Sequence, residues 1–336
     1  MAIRIGTSAG EYEWTDGWAK IPPSPSLTDG WSHHGVVVTD NDEVIAFHPG
    51  DPEMLVFDLN GNLLRSWTTD LKDAHGMALA KDESGQYLWT SDPGAKRAPE
   101  LHYGYADGPR EGKVVKWSLN GDDVLRLERP DLAAYNDGEY SPTSVTVFEE
   151  ANGGNGDIWS SDGYGQSLIH RYDKSGNYIS TIDGAEGSGG RFNCPHGVWV
   201  DYRKSEAELY VADRANSQIQ VYDLDGNWKR AFGSDWLTTP SAFAVTDSLL
   251  IVAELQARLT VIDGDDNLVG YLGWDEDAPS REGWPNVASG DELPRRPDTL
   301  TEGKLNSPHG VAADRHGNLY VPEWLIGGRF TKLVKV

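Results

Sequence analysis

The stretch PHGVWVDYRKSEAELYVADRANSQIQVYDLDGNWKRAFG, residues 195–233, decides the fold. It contains four short runs rich in β-branched and aromatic residues, GVWV, LYVAD, QIQVYD and WKRAFG, and such runs are typical of strands. The sequence DLDGN between the last two runs is a turn signal. The stretch therefore predicts a unit of four strands joined by turns.

The same pattern occurs six times along the chain. The second run of successive blocks reads VIAFHPGD, YLWTSDPG, DIWSSDGY, LYVADRAN, LIVAELQA and LYVPEWLI. The third reads MLVFDLNGN, VVKWSLNGD, LIHRYDKSGN, IQVYDLDGN, LTVIDGDDN and TKLVKV. A repeat of four short strands predicts an all-β protein, a six-bladed β-propeller in one domain over residues 1–336. The last block stops after its third strand, so we expect AIRIG, residues 2–6, to supply the fourth and close the ring.

Composition limits the partners. The net charge of -24 argues against nucleic acid and against an anionic membrane surface, and no apolar run approaches the ~18 residues of a membrane span. The single cysteine, Cys194, fits a reducing compartment, and the N-terminus has no signal-peptide pattern. We therefore expect a cytoplasmic protein, a monomer or weak oligomer, that binds a small-molecule substrate.

A polar residue precedes the first strand of every block. In a propeller this strand lines the central channel, so the six residues should form a polar ring at one mouth of it. They are His34, His75, Thr143, His196, Ser241 and His309.

Histidines occupy this position in alternate blocks. Converging imidazoles of His75, His196 and His309, with an open fourth position, are the ligand set of a catalytic zinc. The alternative is that these histidines are hydrogen-bonded residues of a channel turn. His34 could add a fourth ligand, which would suit iron or manganese, or contact substrate, or pack in the core.

The loop after each second strand should lie on the same rim as the histidines. It offers His48, Asp162, Asp213 and Trp324 as candidate substrate contacts. The two aspartates could instead be structural and accept hydrogen bonds from loop amides.

Two insertions interrupt the repeats, at residues 93–112 and 274–304. Both should emerge on the channel face, where long loops often serve as lids. The first contains the densest group of positive charge in this acidic chain, and Arg97 within it is a candidate substrate contact. A disordered loop is the alternative.

The blocks resemble NHL repeats, and the histidine pattern, with SDGYGQSLI at 161–169 and VADRANSQI at 211–219, is similar to the catalytic core of peptidylglycine amidating lyase, the peptidyl-α-hydroxyglycine lyase. The resemblance implies a metal bound by His75, His196 and His309. It also implies that Tyr164 is the general base and that Arg214 helps to activate it. This pairing agrees with chemistry, because a nearby guanidinium favours the phenolate form of a tyrosine.

The chain departs from that family in two places. Pro49 stands where the family has a substrate-facing arginine, and Gly310 follows the last histidine where the family has an acidic residue. The family's carboxylate substrate is therefore not implied, and the ligand of its structural calcium is not matched.

The sequence leaves three possible functions open. The first is a metal-dependent lyase acting on a small hydroxylated substrate. The second is a lactonase or esterase of the six-bladed kind, whose calcium would need oxygen ligands rather than imidazoles. The third is a non-catalytic NHL-repeat scaffold that binds a ligand on aromatic residues such as Trp274, Trp284 and Trp324.

Overall fold

A computed structural model of the chain describes residues 2–288 and 292–336. The chain divides into two units, one comprising the residues up to Asp70, Lys96–Asp107 and Phe243–Val336, and the other Leu71–Ala95 and Gly108–Ala242. We call these the first and second units. The prediction of a single domain stays a prediction.

The described residues contain twenty-five strands. The N-terminal hairpin and the first block contain β1 (Arg4–Thr7), β2 (Gly10–Thr15), β3 (Val36–Val38), β4 (Val44–Phe47), β5 (Glu53–Phe57) and β6 (Leu63–Thr68). The second and third blocks contain β7 (Gly76–Asp82), β8 (Gly85–Asp92), β9 (Lys113–Ser118), β10 (Asp123–Leu127), β11 (Ser144–Val147), β12 (Ile158–Asp162), β13 (Leu168–Tyr172) and β14 (Tyr178–Ile182). The last three contain β15 (Pro195–Asp201), β16 (Glu208–Asp213), β17 (Gln218–Tyr222), β18 (Trp228–Phe232), β19 (Pro240–Thr246), β20 (Leu249–Glu254), β21 (Arg258–Ile262), β22 (Leu268–Leu272), β23 (Ala312–Ala313), β24 (Leu319–Glu323) and β25 (Arg329–Lys335).

Each block forms its own antiparallel sheet. The second unit contains three four-stranded sheets, β7 to β10, β11 to β14 and β15 to β18, each in sequence order. The first unit contains the sheet β3 to β6 and the five-stranded sheet β1-β2-β25-β24-β23. The unit boundary falls within β19, the first strand of the sheet β19 to β22. These six sheets of the described residues are the blades of a six-bladed β-propeller, which confirms the predicted fold class.

The predicted fourth strand of the last blade was wrong. β2, not residues 2–6, pairs with β25, and β1 lies outside it as a fifth strand. The physical reason is burial: alternate residues Tyr12 and Trp14 of β2 are 5% and 7% exposed, whereas β1 has no fully buried side chain. The strand with the better alternation of apolar residues takes the inner position.

Helices are few and short. The described residues contain one α-helix, α1 (Pro25–Asp29), and five 3-10 turns, at Pro99–Leu101, Ala133–Tyr135, Glu150–Asn152, Arg214–Asn216 and Ala278–Ser280. The helix α1 spans only five residues, which is too short to show a helical period in the sequence. Its start is determined by local signals, with Ser24 as the N-cap and Pro25 in the first turn. Over the part of the chain that the structure describes, no helix has the length and apolar character needed to cross a membrane.

Apolar side chains pack between neighbouring blades of each unit. In the second unit Trp159, Ile169, Val198 and Leu209 belong to one such cluster. In the first unit Trp18 packs edge-on against Phe57 and Tyr320. Within each unit, neighbouring blades therefore cover each other's apolar faces, as expected for stacked repeats.

A recurring aspartate closes tight turns between successive strands of several blades. In the first blade Asp58 Oδ1 accepts the amides of Asn60 and Asn62 at 2.8 and 2.9 Å. In the last blade Asp314 makes the same contacts in the turn before β24, and its Oδ2 also accepts the Tyr320 hydroxyl at 2.9 Å. Tyr320 is 1% exposed, so this bond satisfies a buried hydroxyl.

We expect Asp314→Ala to lower the free energy of unfolding by about 2–3 kcal/mol, because it removes the turn contacts and leaves a buried hydroxyl without its acceptor. Asp58→Ala is the matched control, since it removes the same turn contacts without a buried tyrosine, and it should cost less. Urea denaturation of both variants measures the difference. Equal losses would show that the Tyr320 contact adds nothing.

Candidate functional site

Two buried histidines of the second unit are held in the same way. His75 immediately precedes β7, and His196 is the second residue of β15; they are 1% and 2% exposed. Nδ1 of His75 lies 2.7 Å from the carbonyl oxygen of Thr143, and Nδ1 of His196 lies 2.8 Å from that of Ser241. A carbonyl only accepts, so in the neutral imidazoles the proton is on Nδ1 and Nε2 carries a lone pair. This is the tautomer that metal-binding histidines adopt.

The Tyr164 hydroxyl lies against both Nε2 atoms. It is 3.2 Å from Nε2 of His75 and 3.1 Å from Nε2 of His196, and the two imidazole ring centroids are 4.6 Å apart. Two imidazole nitrogens with lone pairs therefore converge on one point. Such nitrogens are the ligand atoms that a transition-metal ion takes, so these residues fit a metal ion.

Arg214 contacts the same hydroxyl. Its Nη1 lies 3.2 Å from the Tyr164 oxygen, its Cζ lies 5.2 Å from the ring centroid, and its Nη2 lies 3.2 Å from Sγ of Cys194. Burial disfavours the charged guanidinium, but Tyr164 and Cys194 outweigh burial and raise the pKa of Arg214. Among the described residues no carboxylate forms an ion pair with Arg214. Its positive charge therefore lies against the Tyr164 hydroxyl.

Asp162 holds the loop that carries Tyr164. Its Oδ1 accepts the amide of Ser141 at 2.6 Å, and its Oδ2 accepts the amide of Gln166 at 2.7 Å and the Tyr135 hydroxyl at 2.8 Å. Burial raises the pKa of Asp162 to about 6. The carboxylate thus faces protein donors, and a contact with substrate stays a prediction.

The sequence did not indicate Tyr135. Its hydroxyl also lies 2.7 Å from Nε2 of His170, so it links that histidine to Asp162. Tyr135 lies in the connection between the second and third blades, outside the repeat pattern, and no motif marked it.

Asp213 has the corresponding role in the next blade. Its Oδ1 accepts the amide of Asn193 at 2.8 Å, and its Oδ2 accepts the side-chain amides of Gln218 and Gln220 at 2.8 and 3.0 Å. The side chain is fully buried. It fixes the loop before β15, and its predicted contact with substrate also stays a prediction.

Asp92 repeats this arrangement at the end of β8. Its two oxygens accept the amides of Lys72, Asp73 and Gly94 at 2.7, 3.3 and 2.8 Å. Burial raises the pKa of Asp92 to about 6.

In the first unit His309 lies beside His33, not His34. Nδ1 of His309 lies 3.2 Å from the His34 carbonyl oxygen, which gives it the same tautomer as His75 and His196. The ring centroids of His33 and His309 are 4.5 Å apart, and one ring nitrogen of each lies within 4.8 Å of the other. The ring centroids of Trp324 and His33 are 5.8 Å apart.

His34 occupies a different environment. It is fully buried, its ring lies 5.3 Å from that of Phe330, and its Nδ1 lies 2.8 Å from the Gly35 carbonyl oxygen. Burial lowers the pKa of His34 to about 3. The structure thus brings His33, which the sequence reasoning missed, to the place predicted for His34; the doublet His33-His34 was the available signal.

Arg97 lies in an aromatic cluster of the first unit. Its guanidinium lies 5.1 Å from the Trp31 ring and 4.9 Å from the Tyr105 ring, and it donates to the Tyr103 carbonyl at 2.8 Å. The ring centroids of Trp31 and Trp324 are 5.4 Å apart. The part of the first insertion within this unit is therefore packed against aromatic residues.

His48 is held by its own loop. Its Nδ1 accepts the amides of Gly50 and Asp51 at 3.0 and 2.9 Å, and burial lowers its pKa.

The structure thus groups His75, His196, Tyr164 and Arg214 in the second unit and His309, His33, Trp324 and Arg97 in the first. In the second insertion, residues 289–291 lie outside the described residues.

Comparisons with known proteins support the repeat family. The chain is 31% identical to human NHL repeat-containing protein 3 over 263 residues, which cover 75% of the chain and 69% of that protein. It is 23% identical over 252 residues to the probable peptidyl-alpha-hydroxyglycine alpha-amidating lyase pgal-1 of Caenorhabditis elegans, covering 74% of the chain and 60% of that protein. No family model matches the chain.

Solved structures agree on the fold. A catalytically inactive virginiamycin B lyase from Staphylococcus aureus with quinupristin superimposes with a TM-score of 0.59 at 13% identity, covering 97% of this chain and all of that one. A gluconolactonase from Xanthomonas campestris superimposes with a TM-score of 0.58 at 14% identity, covering 100% of this chain and 95% of that one. At such identities the likeness shows the propeller fold alone.

The raised pKa of Asp92 predicts a pH effect on stability. Between about pH 3.9, the ordinary carboxyl pKa, and pH 6 the folded protein binds more protons at Asp92 than the unfolded chain does. The free energy of unfolding should therefore fall as pH rises through this window, by at most about 3 kcal/mol from this group.

Asp92→Asn removes that titration. The amide cannot accept all three N–H groups, so the variant should be less stable at every pH, but its deficit should be smaller at pH 7 than at pH 4. Urea denaturation of wild type and variant at both pH values measures this. A deficit that does not change with pH would contradict the prediction.

Proposed function

This chain belongs to the family of NHL repeat-containing protein 3, and on that premise we propose that it is a metal-dependent lyase acting on a small hydroxylated substrate. The observation that carries the proposal is the Tyr164 hydroxyl, within 3.2 Å of two imidazole Nε2 atoms and one guanidinium. The similarity to a probable amidating lyase adds support.

His75, His196 and His309 would hold the metal. Each has its Nδ1 against a backbone carbonyl, which orients the ring and fixes Nε2 as the ligand nitrogen. Three neutral imidazoles suit a divalent transition metal and, with one open position, zinc. When bound, such an ion supplies Lewis-acid stabilisation of negative charge that develops on a substrate oxygen.

Tyr164 would act as the general base. The guanidinium of Arg214 stabilises its phenolate, and the phenolate oxygen then accepts the proton of the substrate hydroxyl. Cys194 accepts a hydrogen bond from the other end of the guanidinium and so helps to hold Arg214 in place.

Substrate contacts come from the rim. Arg97 and Trp324 are the candidates with the most suitable chemistry, a cation for an anionic group and an aromatic face for an apolar one. A calcium-dependent lactonase fits less well, because calcium takes oxygen ligands and these positions hold imidazoles.

We expect the untagged protein to contain about one transition-metal ion per chain and His196→Ala to lose most of it, because a metal-binding histidine is removed. Elemental analysis of both proteins after dialysis is the measurement. His316→Ala, which removes an exposed histidine away from these residues, is the control and should keep the metal. A wild-type protein that binds no metal even after reconstitution would overturn the proposal in favour of a binding scaffold.

We expect Tyr164→Phe to lower turnover by about 10²- to 10⁴-fold, the usual contribution of a general base, without loss of metal. The assay uses whichever hydroxylated compound the wild type converts in a substrate screen. Arg214→Gln should also lower turnover, and Arg214→Lys should restore part of it because the positive charge is kept. Full activity of Tyr164→Phe would exclude the tyrosine as base.

A further inference from the structure

We propose that His33 is an additional metal ligand, so that the site is a four-imidazole centre. This inference rests on the proposed function, because it needs the metal that His75, His196 and His309 would bind. It concerns a residue of the first unit that no motif of the chain assigned to the site.

The geometry of His33 and His309 supports a shared ion. A ring nitrogen of each lies within 4.8 Å of the other. Two imidazole nitrogens bound to one ion at 2.0–2.1 Å are about 3.0–3.4 Å apart at octahedral or tetrahedral angles, so a movement of at most about 2 Å brings both to ligand distance. A rotation of one side chain is enough for a movement of that size.

The path of the backbone places His33, and not His34, beside His309. His34 is fully buried against Phe330, whereas His33 is only partly buried and its ring faces His309 and Trp324. The Trp324 ring, 5.8 Å from that of His33, limits where the imidazole can turn. The His34 carbonyl meanwhile accepts from Nδ1 of His309, so the doublet supplies one candidate ligand and one orienting group.

A fourth imidazole changes which metal suits the site. Zinc in a catalytic site has three protein ligands and one open position, and a fourth protein ligand would close a tetrahedral site. A centre with four imidazoles that still binds substrate needs an ion accepting five or six ligands. Iron or manganese then fits better than zinc.

The test uses cobalt(II) alone as a probe, titrated into metal-depleted wild type, His33→Asn, His34→Asn and the control His316→Asn. Visible absorption reports both affinity and coordination number, because tetrahedral cobalt absorbs far more strongly than six-coordinate cobalt. We expect wild type to give the weak spectrum of a five- or six-coordinate ion. His33→Asn should bind cobalt more than about 100-fold less tightly, since loss of an outer partner of a ligand alone costs 10- to 100-fold. The His316→Asn protein should match wild type.

Each outcome separates the two proposals. Unchanged affinity and spectrum in His33→Asn, with binding lost in His196→Ala, would overturn the role of His33 and leave the proposed function standing. A loss in His34→Asn but not in His33→Asn would also overturn it. No cobalt binding by wild type would overturn both. If His33→Asn does not fold, as judged by circular dichroism, X-ray absorption of metal-loaded wild type decides: four imidazoles support the inference and three refute it.

Discussion

The arrangement of the site depends on a buried carboxylate at the end of the second strand of a blade. This carboxylate accepts backbone amides of the loop that enters the first strand, and the residues that do so are Asp92, Asp162, Asp213 and Glu323. Without it these amides would be buried without acceptors, at a cost of about 1–3 kcal/mol each. The loop is therefore fixed. The residue two or three positions later is fixed with it, and these residues are His75, Thr143, His196 and His309.

The same device helps to hold the side chains of the candidate site in place. His75 and His196 are oriented twice, once through their loops and once through the carbonyls that hold Nδ1. Tyr164 follows Asp162 by two residues, so the anchor of its loop also places its hydroxyl. A site built on such supports keeps its geometry without a ligand, which is what a preorganised catalytic centre requires.

Arg214 has an unusual set of partners. Its guanidinium has no carboxylate partner among the described residues, and its contacts are a phenol and a thiol. These two groups outweigh burial and raise the pKa of Arg214, so its charged form is stabilised. A charge held by groups that can themselves ionise is typical of functional sites, which is consistent with a role for Arg214 in setting the charge state of Tyr164.

The sequence by itself determined the six blades, because strand alternation and the turn signals are local properties repeated along the chain. It also marked His75, His196, His309, Tyr164 and Arg214, whose motifs recur at fixed places in the blades. Only the tertiary structure decided which N-terminal strand pairs with β25. It is β2, because this pairing buries the side chains of Tyr12 and Trp14. It likewise placed His33 beside His309 and His34 against Phe330. This difference between two neighbouring histidines depends on the path of the backbone and on the packing of Phe330, which the sequence does not show.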